Sequence, residues 1–282
     1  MPGLFFLFQS TILPAMDSNN LRKLETRSTA QDWKLPCLVP VLVVALSVAG
    51  WELLVRLTGL PVFILPSPLT VAARFFRALG DRSLLWHTAV TLLEVLLGLL
   101  SGASTALLFG YAIAKSRLFE RLVSPFLVAS QAIPIVAIAP LLVIWFGPGM
   151  FSKVLICALI VFFPVLVNTV VGLRAVPRSL YELMSSLRAS RMQMLRLLEV
   201  PAALPVFLGG LRIGATLSVI GAVVGELVGA DRGLGFLINI GRGQYDTALV
   251  FVAILTLIAL ALALYGFVLL LERRLLAWQN NQ

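Results

Sequence analysis

Apolar residues in this chain come in blocks long enough to cross a lipid bilayer, and that length restricts the fold more than any other feature. A hydrocarbon core about 30 Å thick takes ~20 helical residues, because helices pair all their backbone groups internally. Blocks of this kind lie at about 35–58, 86–114, 122–146, 153–173, 204–228 and 247–271. They predict an all-α polytopic membrane protein with about six transmembrane helices. The third block contains Pro134 and Pro140, so it reads as one span or as two half-helices. Charged residues make up 12% of the 282 positions, about half the ~25% usual in soluble domains. That leaves too little polar surface to clothe a soluble particle.

The segments between blocks have their own grammar. Pro61, Pro66 and Pro68 force LPVFILPSP, residues 60–68, out of helix. Val71, Phe75, Phe76 and Leu79 then alternate with Arg74 and Arg77, the pattern of an amphipathic interfacial helix over 69–82. Gly98, Gly102 and Gly110 dot the second block as expected close-packing sites. Residues 1–15 are apolar but short and lack a basic leader, so a cleaved signal peptide is not expected. Residues 1–34 read as an N-terminal cytoplasmic segment, with Met16 as an alternative start, and 35–280 as the transmembrane domain. The net charge of +9 reflects loop residues that set orientation, not a nucleic-acid surface. With both termini in the cytoplasm, fifteen of the 22 Lys and Arg residues fall inside, among them Arg212. Lys153 is one of the seven that fall outside, and no Lys or Arg is expected at mid-depth. The same orientation makes 174–203 cytoplasmic.

Little in the sequence supports chemistry on bound groups. Cys37 and Cys157 sit in apolar blocks and read as small fillers. No His/Cys/Asp/Glu cluster has metal-ligand spacing, and no cofactor is expected. No GxxxxGK[ST] phosphate loop occurs, and the lone Gly-Leu-Gly at 233–235 reads as a turn. His87 reads as an interfacial residue. Glu94 and Glu226 fall within spans, where a charge is costly and faces a bundle interior or water. Each reads either as a structural carboxylate bonded to Ser, Thr or Arg, or as a pathway or gate residue.

The stretch 173–205 mixes Leu183, Leu187 and Met194 with Arg188, Arg191 and Arg196 at helical spacing, and Pro201 and Pro205 are expected to end the helix. Such a helix must rest on lipid headgroups or on a partner protein. Its spacing resembles the cytoplasmic signature of bacterial ABC importer permeases: Glu-Ala-Ala, three residues, Gly, nine residues, Ile-x-Leu-Pro. The matching positions here are Glu182-Leu183-Met184, Arg188 and Leu198-Glu199-Val200-Pro201. Arg188 replaces a turn-permitting glycine. LPSP at 65–68, residues 131–153, residues 201–218 and GADRGLGFLI at 229–238 resemble the nitrate, sulfonate and taurine branch of the type I permeases.

The resemblance implies a permease subunit of an ATP-binding-cassette importer in the bacterial inner membrane. It implies a homodimer of six-helix units, an ATP-binding subunit on the cytoplasmic face and an external solute-binding protein. Glu182, Leu183, Met184, Arg188, Leu198 and Pro201 would couple to the ATPase, with Glu226 and Glu94 on the pathway or at a gate. The chain itself would not be an enzyme. Sulfonates, taurine, nitrate or small heterocyclic vitamin precursors fit as solutes. The competing reading is an ATP-independent secondary transporter or channel, which would favour internal repeats and mid-membrane charges.

Overall fold

The computed structural model describes residues 35–131 and 134–277. The expected N-terminal cytoplasmic segment, 1–34, lies outside the described residues. Helix α1, Leu35–Thr58, belongs to a first unit that ends at Leu60. Arg56 Nε donates to Glu52 Oε1 at 2.7 Å, one turn away on the same helix. Gly59, at φ +59°, closes the last turn by donating its N–H to the Val55 carbonyl.

The second unit starts at Pro61. It comprises α2 (Pro68–Gly80), α3 (Ser83–Lys115), α4 (Arg117–Gln131), α5 (Ile135–Phe146), α6 (Met150–Arg174), α7 (Arg178–Ser186), α8 (Arg191–Met194), α9 (Val200–Gly229), α10 (Leu234–Gly243) and α11 (Thr247–Leu275). Among the described residues no strand occurs. Five helical segments are long and apolar enough to cross a membrane, or six if the bent pair α4–α5 counts as one span. Pro134 stands at the N-cap of α5 and Pro140 inside it. Ser67 caps α2 by accepting the Thr70 N–H, and Pro68 opens it without losing an amide that would have paired. That helix buries Val71 and Ala78 and leaves Phe76 exposed.

The centre of this unit is a trio, α3, α6 and α9, with α3 and α6 parallel and α9 antiparallel to both. Small residues bring their backbones together. A Cβ built on Gly98 of α3 would lie 2.2 Å from the Cys157 Cβ of α6, and one on Gly221 of α9 would lie 2.8 Å from the Cys157 Cα. Only glycine on both sides lets three helices close around Cys157. The Cys157 thiol is fully buried and donates to the Ser218 carbonyl of α9 at 3.4 Å, consistent with a filler role. Across the trio's flank, Arg212 of α9 pairs with Glu272 near the end of α11 and lies over the Tyr265 ring.

One sequence expectation fails here. Pro201 and Pro205 do not end a helix. Pro201 stands in the first turn of α9 and Pro205 inside it. A proline ring clashes with the carbonyl four residues back, and the chain relieves this by widening. Leu195–Glu199 forms a π-helical turn, in which the Val200 N–H reaches the Leu195 carbonyl. Helix α8, this turn and α9 thus make one rod from Arg191 to Gly229 that qualifies as a single span of 39 residues.

Candidate functional site

Two polar regions stand out, at opposite ends of the trio. The first contains the expected coupling residues. Helix α7 ends in a motif its own backbone satisfies: Arg188 N–H donates to the Ser185 carbonyl and Ala189 N–H to the Met184 carbonyl, both at 3.0 Å. The motif needs a left-handed residue at the turn, and Arg188 supplies it at φ +54°. The expected departure from glycine is therefore real in identity, but the turn forms all the same. For a residue with a Cβ this conformation costs about 1–2 kcal/mol.

One residue later the next helix begins. Ser190 Oγ accepts the Gln193 N–H at 3.3 Å, while Gln193 Oε1 accepts the Ser190 N–H at 2.8 Å. The sequence carries the signal for this reciprocal cap as Ser190-x-x-Gln193.

The segment exposes Glu182, Leu183, Leu187 and Arg188, with Met184, Leu198 and Pro201 half-buried. Glu182 is paired only to Arg178, 3.3 Å away and one turn earlier on the same exposed face. Below this surface lies an anchor that sequence reasoning missed. Lys115, the last residue of α3, pairs with Glu199 in the π turn. Its ammonium also lies 5.2 Å from the Tyr181 ring centre of α7 and 5.8 Å from that of Tyr111. Burial, then the Glu199 carboxylate, push the Tyr181 hydroxyl above its usual range. Nearby, Arg174 of α6 pairs with Glu120 of α4 at 2.7 Å. One cation therefore ties α3, α7 and the start of the α9 rod together.

The second region lies at the far end. Glu226 is fully buried in α9, one turn from its end. Thr91 Oγ1 of α3 donates to its Oε1 at 2.7 Å, and Gly235 N–H of α10 to its Oε2 at 2.5 Å. Thr91 also accepts the Leu234 N–H at 2.8 Å, and His87 Nδ1 accepts the Gly233 N–H at 3.0 Å. Of the Gly-Leu-Gly at 233–235, expected as a turn, only Gly233, at φ +106°, lies outside a helix; Leu234 and Gly235 open α10, and the Gly235 N–H reaches the Glu226 carboxylate. His87 is half-buried and bonded to that turn rather than simply interfacial.

Glu94 lies next to Glu226, and its Oε1 faces Lys153 Nζ of α6 at 3.2 Å. Lys153 is only 3% exposed. Lys153 is expected on the outside, at the edge of the fourth block; it stands in the first turn of α6 with its ammonium turned onto Glu94. Charges inside spans seek partners, and a lysine at the edge of an apolar block that also faces two unassigned carboxylates was the available signal. Glu226 is held by donors from α3 and α10. Glu94 shares a hydrogen bond with Glu226 and lines a cavity.

Comparison with known proteins follows the same lines. The family model described as "Binding-protein-dependent transport system inner membrane component" matches residues 95–277. The chain is 48% identical over 251 residues to the riboflavin transport system permease protein RibX of Chloroflexus aurantiacus, covering 89% of this chain and 94% of the relative. It is 32% identical to the putative aliphatic sulfonates transport permease protein SsuC of Bacillus subtilis, covering 95% and 96%. Among solved structures, a chain of the MetNI methionine ABC transporter in inward-facing conformations matches with a TM-score of 0.58 at 19% identity, over 67% of this chain and 94% of that one. That last likeness speaks to the fold.

Proposed function

Since the chain belongs to the family of binding-protein-dependent inner membrane transport components, and is therefore the non-enzymatic permease subunit of an ABC importer, we propose that residues 178–201 are the lever through which its ATPase drives it. The observation that carries this is mechanical. The exposed α7 helix ends in the Arg188 turn, and from the reciprocal cap at Ser190 the chain runs without a break through the π turn into the α9 rod. A push on Glu182, Leu183 or Leu187 reaches the span through the Arg188 turn and through Lys115, which lies over the Tyr181 ring of α7 and pairs with Glu199. Lys115 ties the same point to α3, so two of the three central helices move with it. Such a two-state element, biased by a partner, is what coupling needs.

In this reading the segment faces the cytoplasm, as do both termini, and two permease chains form a homodimer with one lever each. The Glu94, Lys153 and Glu226 cluster then lies toward the outside, where a binding protein releases solute. The solute is a small planar heterocycle, supported by the 48% identity to a riboflavin permease. A sulfonate is the second reading, supported by the 32% relative. Glu182→Lys should leave membrane insertion intact and uncouple ATP hydrolysis from transport, with uptake in vesicles falling at least tenfold. Wild-type uptake by that variant would refute the lever.

A further inference from the structure

The first backbone amides of a helix have no partner within it. At the start of α10 three in succession are answered from other elements: Gly233 N–H by His87 Nδ1 at 3.0 Å, Leu234 N–H by Thr91 Oγ1 at 2.8 Å, and Gly235 N–H by Glu226 Oε2 at 2.5 Å. His87 and Thr91 stand one turn apart on α3, and the His87 ring lies tilted against Phe236 of α10, with centres 5.6 Å apart. His87 differs from the Thr91 hydroxyl beside it, which keeps its lone pairs at any pH. A backbone N–H can only donate, so His87 Nδ1 carries a bare lone pair and the ring is neutral, with its proton on Nε2. A proton on Nδ1 would set N–H against N–H and place a cation at the positive end of α10. The ring is half-buried and so within reach of water.

Charged groups on the neighbouring elements offer a protonated His87 no counter-ion. Glu226 of α9 holds the donors from Thr91 and Gly235, and Glu94 of α3 faces Lys153 of α6. Asp231 pairs with Arg232 in the turn before α10, and Asp246 at the start of α11 pairs with Arg74. What protonation takes away is therefore not returned elsewhere.

We propose that His87 is a positioning residue that holds the start of α10 against α3 only as the neutral ring, so that acid on the outside releases α10 and slows import. This rests on the outward placement of that end of the trio. When Gly233 leaves His87, the Gly235 donor is drawn away with it, and Glu226 faces Glu94 with one donor fewer. The junction of α3, α9 and α10 then loosens where the solute enters.

Two substitutions separate the acceptor from its titration. His87→Asn puts an amide oxygen where Nδ1 stands, an acceptor that takes up no proton in this range. His87→Leu removes the acceptor altogether. The permease is reconstituted in proteoliposomes with its ATPase and ATP in the lumen and its binding protein outside. Hydrogen exchange of the 233–243 backbone, corrected for the intrinsic effect of pH, decides the matter without any solute. Between about pH 7.5 and about pH 5.5, the wild type is expected to lose protection by about tenfold or more. His87→Asn should keep its protection at both values, and His87→Leu should lack it at both. Import of riboflavin, used as the probe with only the outer buffer acidified, should follow the same three patterns. Equal pH responses in the wild type and His87→Asn overturn the proposal, as does full protection of His87→Leu at the higher pH. Import indifferent to outer acid while protection falls overturns it as well. A His87-dependent loss of import that appears only when the lumen is acidified sinks instead the outward placement of this end.

Discussion

The two ends of the α3–α6–α9 trio handle charge in opposite ways. At the Glu226 end Glu94, Lys153 and Glu226 are buried, and each meets a group from another element, α3, α6, α9 or α10. At the 178–201 end most polar groups are exposed, and the shape is held by bonds within a few residues: a left-handed turn at Arg188 and the Ser190–Gln193 cap. Lys115 reaches across to Glu199 and Tyr181, and Arg174 to Glu120. The difference suits a machine that must be stiff where helices meet and accessible where a partner pushes. Long-range pairs fix the first region, and local backbone chemistry fixes the second.

Substitutions can break this contrast in order of size. The largest effect is expected from Lys153→Met, which leaves two adjacent buried carboxylates without their cation. Removing one partner of a buried pair costs about 3–5 kcal/mol, read as a fall in the melting midpoint of the detergent-solubilised complex. Adding Glu94→Gln should restore most of the loss. If Lys153→Met melts like wild type, the buried pair is not what holds that end together.

Gly98→Ala should come next, at about 1–3 kcal/mol, because its Cβ overlaps that of Cys157. Pairing it with Cys157→Gly should return part of the loss, whereas additive losses would mean that the helices had separated. The smallest effect runs the other way. Arg188→Gly relieves a left-handed residue and should stabilise the turn by about 1 kcal/mol with transport retained. A loss of coupling in that variant would show that the Arg188 side chain, not the turn, is what the segment needs.

Much of this was legible in the sequence. Span limits such as 35–58 and 153–173 follow from apolar length, which local composition determines. The place of Pro134 at the start of α5 is likewise local, whereas Pro68, expected outside the helix, opens α2. The lever was legible as spacing around Glu182 and Pro201, but its continuity was not. Pro201 reads as a stop, and only the π turn, a compromise between the proline ring and a helix packed on α6, carries the rod past it. The partners of Glu94, Glu226 and Glu199 were illegible for another reason. Lys153, Thr91 and Lys115 are 59, 135 and 84 positions away from them, and no periodicity within a helix reports which residue of another helix it will face. Small residues gave the best hint of such pairing, since Gly98, Gly102 and Gly110 all turn toward α6.

The most direct test of the account places single cysteines at Glu182, Leu183 and Leu187 and asks which cross-link to the co-expressed ATPase in native membranes. The account predicts strong cross-links at these exposed positions, changing with bound ATP, and none from a cysteine at Tyr245 near the opposite end. Uniform failure along 182–187 with the complex intact, or cross-links from Tyr245 instead, would contradict it.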